Sequence, residues 1–281
     1  MNYQHGFHAG NHADVLKHIV LLQLIESLKR KDSGFCVLDT HAGRGRYYMQ
    51  SEQAAKTGEA RSGIFQLIGV QGLPAPIKHY LHAVAADNPV GGLLVYPGSP
   101  LLTAQAMREQ DRLMCCEFQH EEAQPLKALF ANDARVSIVG RDGYAAIKAK
   151  LPFKEKRGLV LIDPPYEAQE AEFDAILKAL QEGLQRWSSG IYAVWYPIKQ
   201  RRSLQSFFRK ITALPIKSAF VAEVLVRPDD SPLRLNGSGM LVINPPWHCD
   251  EALQPVLPVL ARLLGEKDAS SAFQWLKKES K

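Results

Sequence analysis

Asp163, Pro164, Pro165 and Tyr166 follow directly on the apolar run GLVLI. A carboxylate, a rigid turn and an aromatic ring in that order suit one demanding task, methylation of the exocyclic amine of adenine. The lone pair of that amine is delocalised into the ring, so the amine must be held and its electrons drawn towards an incoming methyl. A proton must also leave once the bond has formed. Asp163 and the carbonyl of Pro164 can both accept from the amine, the prolines fix that carbonyl, and the ring of Tyr166 can stack on the base. Orientation and preorganised electrostatics are then the main catalytic terms, with Asp163 as the catalytic proton acceptor. A base paired inside a helix cannot reach such a turn, so the target is expected to be unpaired or flipped out.

The chain nearly repeats this motif in Asn244, Pro245, Pro246 and Trp247. The second copy ends a run that follows AFVAEVLV after the loop from Arg227 to Ser238. That order suits a terminal antiparallel hairpin, whose final strand finishes at the edge of the sheet opposite the first motif. Asn244 and Trp247 are therefore expected to be structural, and Asp163 chemical.

The other acids fall at strand ends. Asp39 closes FCVLD, Glu117 nearly closes RLMCCEF, Asp142 follows RVSIVG, and Asp163 closes GLVLID. Ligands of open α/β sheets bind outside the carboxyl ends of the strands. Carboxylates placed there can accept from ribose hydroxyls (Glu117) and from an adenine amino group (Asp142), and they repel phosphates. The row favours S-adenosylmethionine, with its sulfonium and ammonium charges, over NAD or ATP. Acids after strands also serve as helix caps, and for any single one that reading stands beside the functional one.

After the first strand the chain turns through THAGRGRYY, with Gly43 and Gly45 and the side chains of His41, Arg44 and Arg46. A dinucleotide-binding turn would carry a third glycine where Tyr48 stands, so an NAD-dependent oxidoreductase is not expected.

The elements that must position these groups alternate between strand and helix patterns, the signature of an α/β fold with a mainly parallel sheet. A helix is expected from the N-cap Asn11 to about Lys31. Further strands are expected at 190–196, 219–226 and 239–244. The interval from Gly45 to Arg112 is too long for one crossover and contains helix-like stretches near 59–70, 75–86 and 100–110. A small helical insertion over 49–93 is expected, set on a core of 1–48 and 94–281. The polar tail from about Asp268 is expected to be mobile.

The bulk properties are those of a globular chain. Its 281 residues, 46% hydrophobic and 22% charged, can bury a sizeable core. The start MNYQHGFHAG lacks a basic segment followed by an apolar one, and no run is long enough to span a bilayer, so a cytoplasmic protein with no membrane association is expected. Three of the four cysteines lie in strand-like runs and read as reduced, buried thiols. His8 and His12 share a helical spacing, but no matching ligand cluster accompanies them, so no metal is expected. They read instead as part of a lid over the cofactor and base. The net charge of +5 permits a polyanionic partner. Basic residues cluster at Arg44 and Arg46, from Lys148 to Arg157, and from Lys199 to Lys210. Such clusters can contact phosphates or form solvated helix faces.

FHAGNHADVLKH, LDTHAGRGRY, YPGSP and LIDPPYE, in that order, resemble the RlmJ family of 23S ribosomal RNA adenine-N6 methyltransferases. The similarity runs from Tyr3 to about Trp247. It implies a class I S-adenosylmethionine-dependent methyltransferase fold (α/β, Rossmann-like) with a small helical insertion. It also implies that Lys17, His18, His41, Ser99, Glu117, Asp142, Gly143 and Asp163 lie at the cofactor. Tyr3 and His5 are implied to face the RNA beside Pro164 and Tyr166. Arg44 departs from the smaller residue of the family's glycine turn. The implied partner is 23S ribosomal RNA, protein-free or early in assembly, bound by a monomer. A DNA adenine methyltransferase is disfavoured by the absence of a sizeable target-recognition domain. A non-catalytic RNA-binding protein is disfavoured by the intact run from Asp163 to Tyr166.

Overall fold

The computed structural model describes residues 8–49, 58–232 and 235–279. Helix α1 (His12–Lys29) starts where the sequence places it, with Asn11 Oδ1 accepting from the amides of Ala13 and Asp14 at 3.0 Å each. Nearly every residue of α1 is buried, His12, Asp14, Lys17 and His18 included. A helix apolar on all sides belongs in the interior. Its polar groups must therefore find partners within the protein.

Strand β1 (Cys36–Asp39) is the middle of the five parallel strands of the sheet. The chain then forms a short antiparallel ribbon from β2 (Arg46–Tyr48) and β3 (Val95–Pro97). Between its arms lie 3-10 turns at Glu59–Ser62 and Ile64–Gln66 and helix α2 (Ala75–Ala86). The helix expected near 75–86 is present in full, the stretch near 59–70 is reduced to two 3-10 turns, and the ribbon that brackets them was not expected. Three-residue strands, one ending in proline, carry no alternation to read.

Helix α3 (Ser99–Ala106), β4 (Arg112–Cys116), α4 (His120–Leu129), β5 (Val136–Val139), α5 (Gly143–Lys150) and β6 (Gly158–Ile162) follow. Then come α6 (Gln169–Arg186), β7 (Ile191–Ile198), α7 (Gln205–Thr212), β8 (Ala219–Leu225) and β9 (Gly237–Ile243). The chain closes with α8 (Cys249–Leu253), α9 (Val256–Leu264) and β10 (Ser270–Lys277).

The sheet order is β10-β8-β9-β7-β6-β1-β4-β5. Strands β5, β4, β1, β6 and β7 are parallel, and β9 runs antiparallel to both β7 and β8. Both faces are covered: Val37, Leu159 and Leu161 point to the side of α1, while Leu38, Val160 and Ile162 point to the side of α6. This explains the unbroken apolar strands, since a parallel sheet buried on both faces has no solvent side to alternate with. Strand order reverses at β1, between β4 and β6, which opens a crevice at their carboxyl ends.

Strand β10 corrects the expectation of a mobile tail. It pairs antiparallel with β8, and its Phe273 and Trp275 pack on Phe220 at centroid distances of 4.8 and 5.5 Å. The hairpin of β8 and β9 has the expected direction, with Ile243 opposite Tyr192 at the start of β7. The second motif therefore sits at the far edge of the sheet. Asn244 donates to the carbonyls of Ser188 and Gly190 at 2.9 Å each, a structural tie. Trp247 is not structural in that sense, being 79% exposed.

All four cysteines are free and buried, and burial pushes the thiols of Cys116 and Cys249 up to about 12. No helix among the described residues is long and apolar enough to cross a membrane.

Candidate active site at the strand ends

An open cleft lies across the carboxyl ends of β1, β4, β5 and β6. Lys17, His18, His41, Ser99, Glu117, Asp142, Gly143 and Asp163 all line it, as does Pro164. They come from several elements far apart in the chain, and only the topology of the sheet brings them together.

The glycine turn is closed upon itself. The amide of Thr40 donates to Leu161 O, that of His41 to Asp39 Oδ1, that of Ala42 to Cys116 O, and that of Gly43 to Glu117 Oε2 at 2.8 Å. A phosphate-binding turn leaves such N–H groups pointing at its ligand. Here they are already occupied, and the mouth is acidic. Gly43 adopts φ +60°, and a Cβ there would collide with the Tyr47 hydroxyl, so the position requires glycine.

The acids differ in their bonding. Asp39 is buried, accepts from Ser99 Oγ at 2.6 Å, and is pushed up to about 6 by burial, with the Ser99 bond working the other way. Glu117 is raised by burial and accepts from the amides of Gly43 and Gln119 through separate oxygens. Asp142 caps α5 through Oδ1, which accepts from Ala145 N at 2.8 Å. It is both a helix cap and a wall of the cleft, so the two readings of its position hold together. Gly143 follows because a side chain there would run into the Thr40 carbonyl.

Burial lowers His41 to about 4 and keeps its ring neutral near pH 7. Thr40 Oγ1 donates to Leu161 O and lies 2.8 Å from His41 Nδ1. Since that hydroxyl proton is used, Nδ1–H is the donor and Nε2 the acceptor. This assignment follows from the network.

Lys17 Nζ bridges Asp14 Oδ1 at 2.8 Å and Asp163 Oδ2 at 2.5 Å. Burial acts to lower its pKa, but the two carboxylates outweigh that and raise it well above the usual lysine value. Lys17 is thus a fixed cation beside the motif, which helix periodicity alone assigns to a polar face.

Tyr166 departs from expectation. Pro164 and Pro165 line the cleft, but the Tyr166 ring is buried below it, with φ +50°. Its hydroxyl donates to Trp195 O at 2.6 Å, and its ring packs edge-on against Phe173 and Trp195. The aromatic run YAVWY of β7 supplies this apolar bed. The expected stacking on a base is not the arrangement found.

Arg44 and Arg46 likewise differ from a free basic cluster. Arg44 makes a two-pronged pair with Glu122, and Arg46 with Asp87. Thr40, Tyr47, Gly98, Phe118, Gln119 and Glu122 also line the cleft and were not anticipated. Phe118 was within reach of sequence reasoning, as an aromatic residue directly after a strand-end acid, and it is 76% exposed. His8 Nδ1 lies 3.0 Å from the Glu59 carboxylate, whereas His12 is buried in α1. The two histidines do not share a face. Tyr3 and His5 lie outside the described residues.

The chain is 42% identical over 282 residues to ribosomal RNA large subunit methyltransferase J of Haemophilus influenzae, covering 99% of this chain and all of the relative. It is 41% identical over 277 residues to the protein of that name from Escherichia coli K12, covering 98% and 99%. A crystal structure of a Legionella pneumophila protein superposes with a TM-score of 0.86 at 32% identity, covering 95% of this chain and 98% of that one. The fold is the class I, Rossmann-like methyltransferase fold, extended at one edge by β10. The profile of the RsmJ family, described as ribosomal RNA large subunit methyltransferase D, RlmJ, matches residues 32–277, and the chain belongs to that family.

Proposed function

We propose that this protein transfers a methyl group from S-adenosylmethionine to the N6 amine of an adenine in 23S ribosomal RNA. The observation that carries the reading is the pairing of a glycine turn whose amides from Thr40 to Gly43 are occupied with an Asp-Pro-Pro turn held by a buried lysine. The first disfavours phosphate-bearing cofactors, and the second suits an amine acceptor. The names of the curated relatives supply the RNA.

When bound, S-adenosylmethionine supplies an electrophilic methyl carbon. Glu117 would hold the ribose hydroxyls and Asp142 the adenine amino group, with His18, His41, Ser99 and Gly143 completing the contacts beside Lys17. Asp163 has Oδ2 committed to Lys17, and among the described residues Oδ1 has no hydrogen-bond partner. That oxygen and the Pro164 carbonyl would accept from the target amine and draw its lone pair out of conjugation, and the Asp163 carboxylate would take the departing proton. Tyr166 braces the turn from beneath. Tyr3 and His5 would face the RNA as part of a lid, and the segment 49–93 forms the helical insertion. The enzyme would act as a cytoplasmic monomer on RNA that is protein-free or early in assembly.

The test is methyl transfer from labelled S-adenosylmethionine to protein-free ribosomal RNA, with Asp163→Ala alongside and the product nucleoside identified after digestion. N6-methyladenosine from the native protein only is the expected result. Transfer to duplex DNA instead would replace the substrate, and activity surviving in Asp163→Ala would overturn the catalytic assignment.

A further inference from the structure

His18 is connected to the insertion by a chain of two buried hydroxyls. Its Nδ1 lies 2.8 Å from the Tyr96 hydroxyl, which lies 3.0 Å from the Tyr80 hydroxyl. The imidazole also stacks on the Tyr96 ring, at 5.6 Å between centroids and 28° between planes. All three side chains are fully buried. Tyr96 is on β3 and Tyr80 on α2, so α1 reads its protonation from elements inserted between β1 and β4.

The direction of the chain is decided by counting protons. Among the described residues the Tyr80 hydroxyl has one hydrogen-bond partner, the Tyr96 oxygen. Burial raises both phenols far above their usual values, so both keep their protons. If Tyr80 donates to Tyr96, and Tyr96 to His18 Nδ1, both phenol protons are paired. If instead Nδ1–H donates to Tyr96, one phenol proton is left unpaired in the interior, which is costly.

We propose that Tyr80 and Tyr96 are positioning residues that hold His18 as the tautomer protonated on Nε2, and that this tautomer is the one competent to bind the cofactor. The second half rests on the methyltransferase reading above; the first half does not. Neither tyrosine is needed to touch the cofactor, since each acts through His18. The insertion thereby has a definite task, which is to set the hydrogen-bonding character of a wall of the cleft.

The test combines two readouts on the full chain. Long-range proton–nitrogen correlation spectra of protein labelled at histidine nitrogen, assigned with His18→Gln, report the tautomer. Calorimetric titration with S-adenosylmethionine reports affinity, and methyl transfer at saturating cofactor reports turnover. The native protein should show His18 Nδ1 unprotonated and Nε2 protonated. Tyr80→Phe, two bonds away from the ring, should give a mixture of tautomers. Both Tyr80→Phe and Tyr96→Phe should weaken cofactor binding about 5-fold to 10-fold, with kcat within about 2-fold. Thermal unfolding checks that each variant is folded. Protonation of Nδ1 in the native protein overturns the proposal, as does Tyr80→Phe leaving both the tautomer and the affinity unchanged. A native protein that binds no S-adenosylmethionine would sink the methyltransferase reading, while the nitrogen shifts still decide the tautomer.

Discussion

Lys17 Nζ and Asp163 Oδ2 lie 2.5 Å apart although 146 residues separate them in the chain. The lysine is 5% exposed and is also bound to the almost fully buried Asp14. Two carboxylates share one ammonium, so removing the lysine leaves two like charges facing each other. Lys17→Met is expected to destabilise the protein by about 3–5 kcal/mol in urea unfolding. It should also slow methyl transfer by roughly 100-fold or more, because Asp163 loses the group that fixes it. A Lys17→Met variant with native stability would show that the bridge contributes nothing.

Tyr166 is predicted to behave as a core residue. Tyr166→Phe removes the bond to Trp195 O and should cost about 1 kcal/mol. Tyr166→Ala should cost about 3–5 kcal/mol through the cavity it leaves between Phe173 and Trp195. Asp163→Ala, on the rim of the cleft, should lose activity without a loss of stability on that scale. Equal stability of Tyr166→Ala and the native protein, with activity lost, would place the ring at the base.

Local sequence was enough to find the row of acids, because a residue closing an apolar run has only one place to go in a parallel sheet. Asp39, Glu117, Asp142 and Asp163 are legible for that reason, and their convergence follows from strand order. The partners they take were not legible. Lys17 sits at a helical spacing that reads as solvent-facing, and only the burial of α1 on every side turns it inward. The rotation of Tyr166 depends on a carbonyl of β7, and the tie from Tyr96 to His18 depends on a ribbon of three-residue strands. Resemblance named His18 and Lys17 but said nothing of what holds them. Strand β10 was misread because its polar residues alternate on an exposed edge, a pattern shared with a solvated tail.

Arg44 occupies the glycine turn and suggests a phosphate contact, but its guanidinium is paired through two bonds with Glu122. Releasing counter-ions from RNA requires a cation that is free to approach a phosphate. Arg44→Gln is therefore expected to change the slope of log affinity against log salt by less than about half a charge, well below the ~0.7 per phosphate contact of single-stranded nucleic acid. Filter binding to ribosomal RNA across a salt series measures it. Because Glu122 lines the cleft, the same variant should raise the KM for S-adenosylmethionine. A slope reduced by a full contact would return Arg44 to the RNA interface.

His12 gives the stability of the protein a direction in pH. Burial lowers its pKa to about 4, Arg227 acts in the same sense, and Glu59 and Asp14 act against them. The folded state therefore holds the ring neutral where the unfolded chain, near its ordinary value of about 6.5, takes up a proton. Stability from this residue is complete above pH 6.5, falls as the pH drops, and is gone below about 4. The shift corresponds to roughly 3 kcal/mol at the acid end. His12→Gln removes the titration, so its urea-unfolding free energy should fall less than that of the native protein between pH 7 and pH ~4.5, by about 2–3 kcal/mol. His41, lowered to about 4 by burial, contributes a slope of the same sign that the variant keeps. Parallel pH profiles for His12→Gln and the native protein would mean that His12 takes up its proton in the fold as readily as in the unfolded chain.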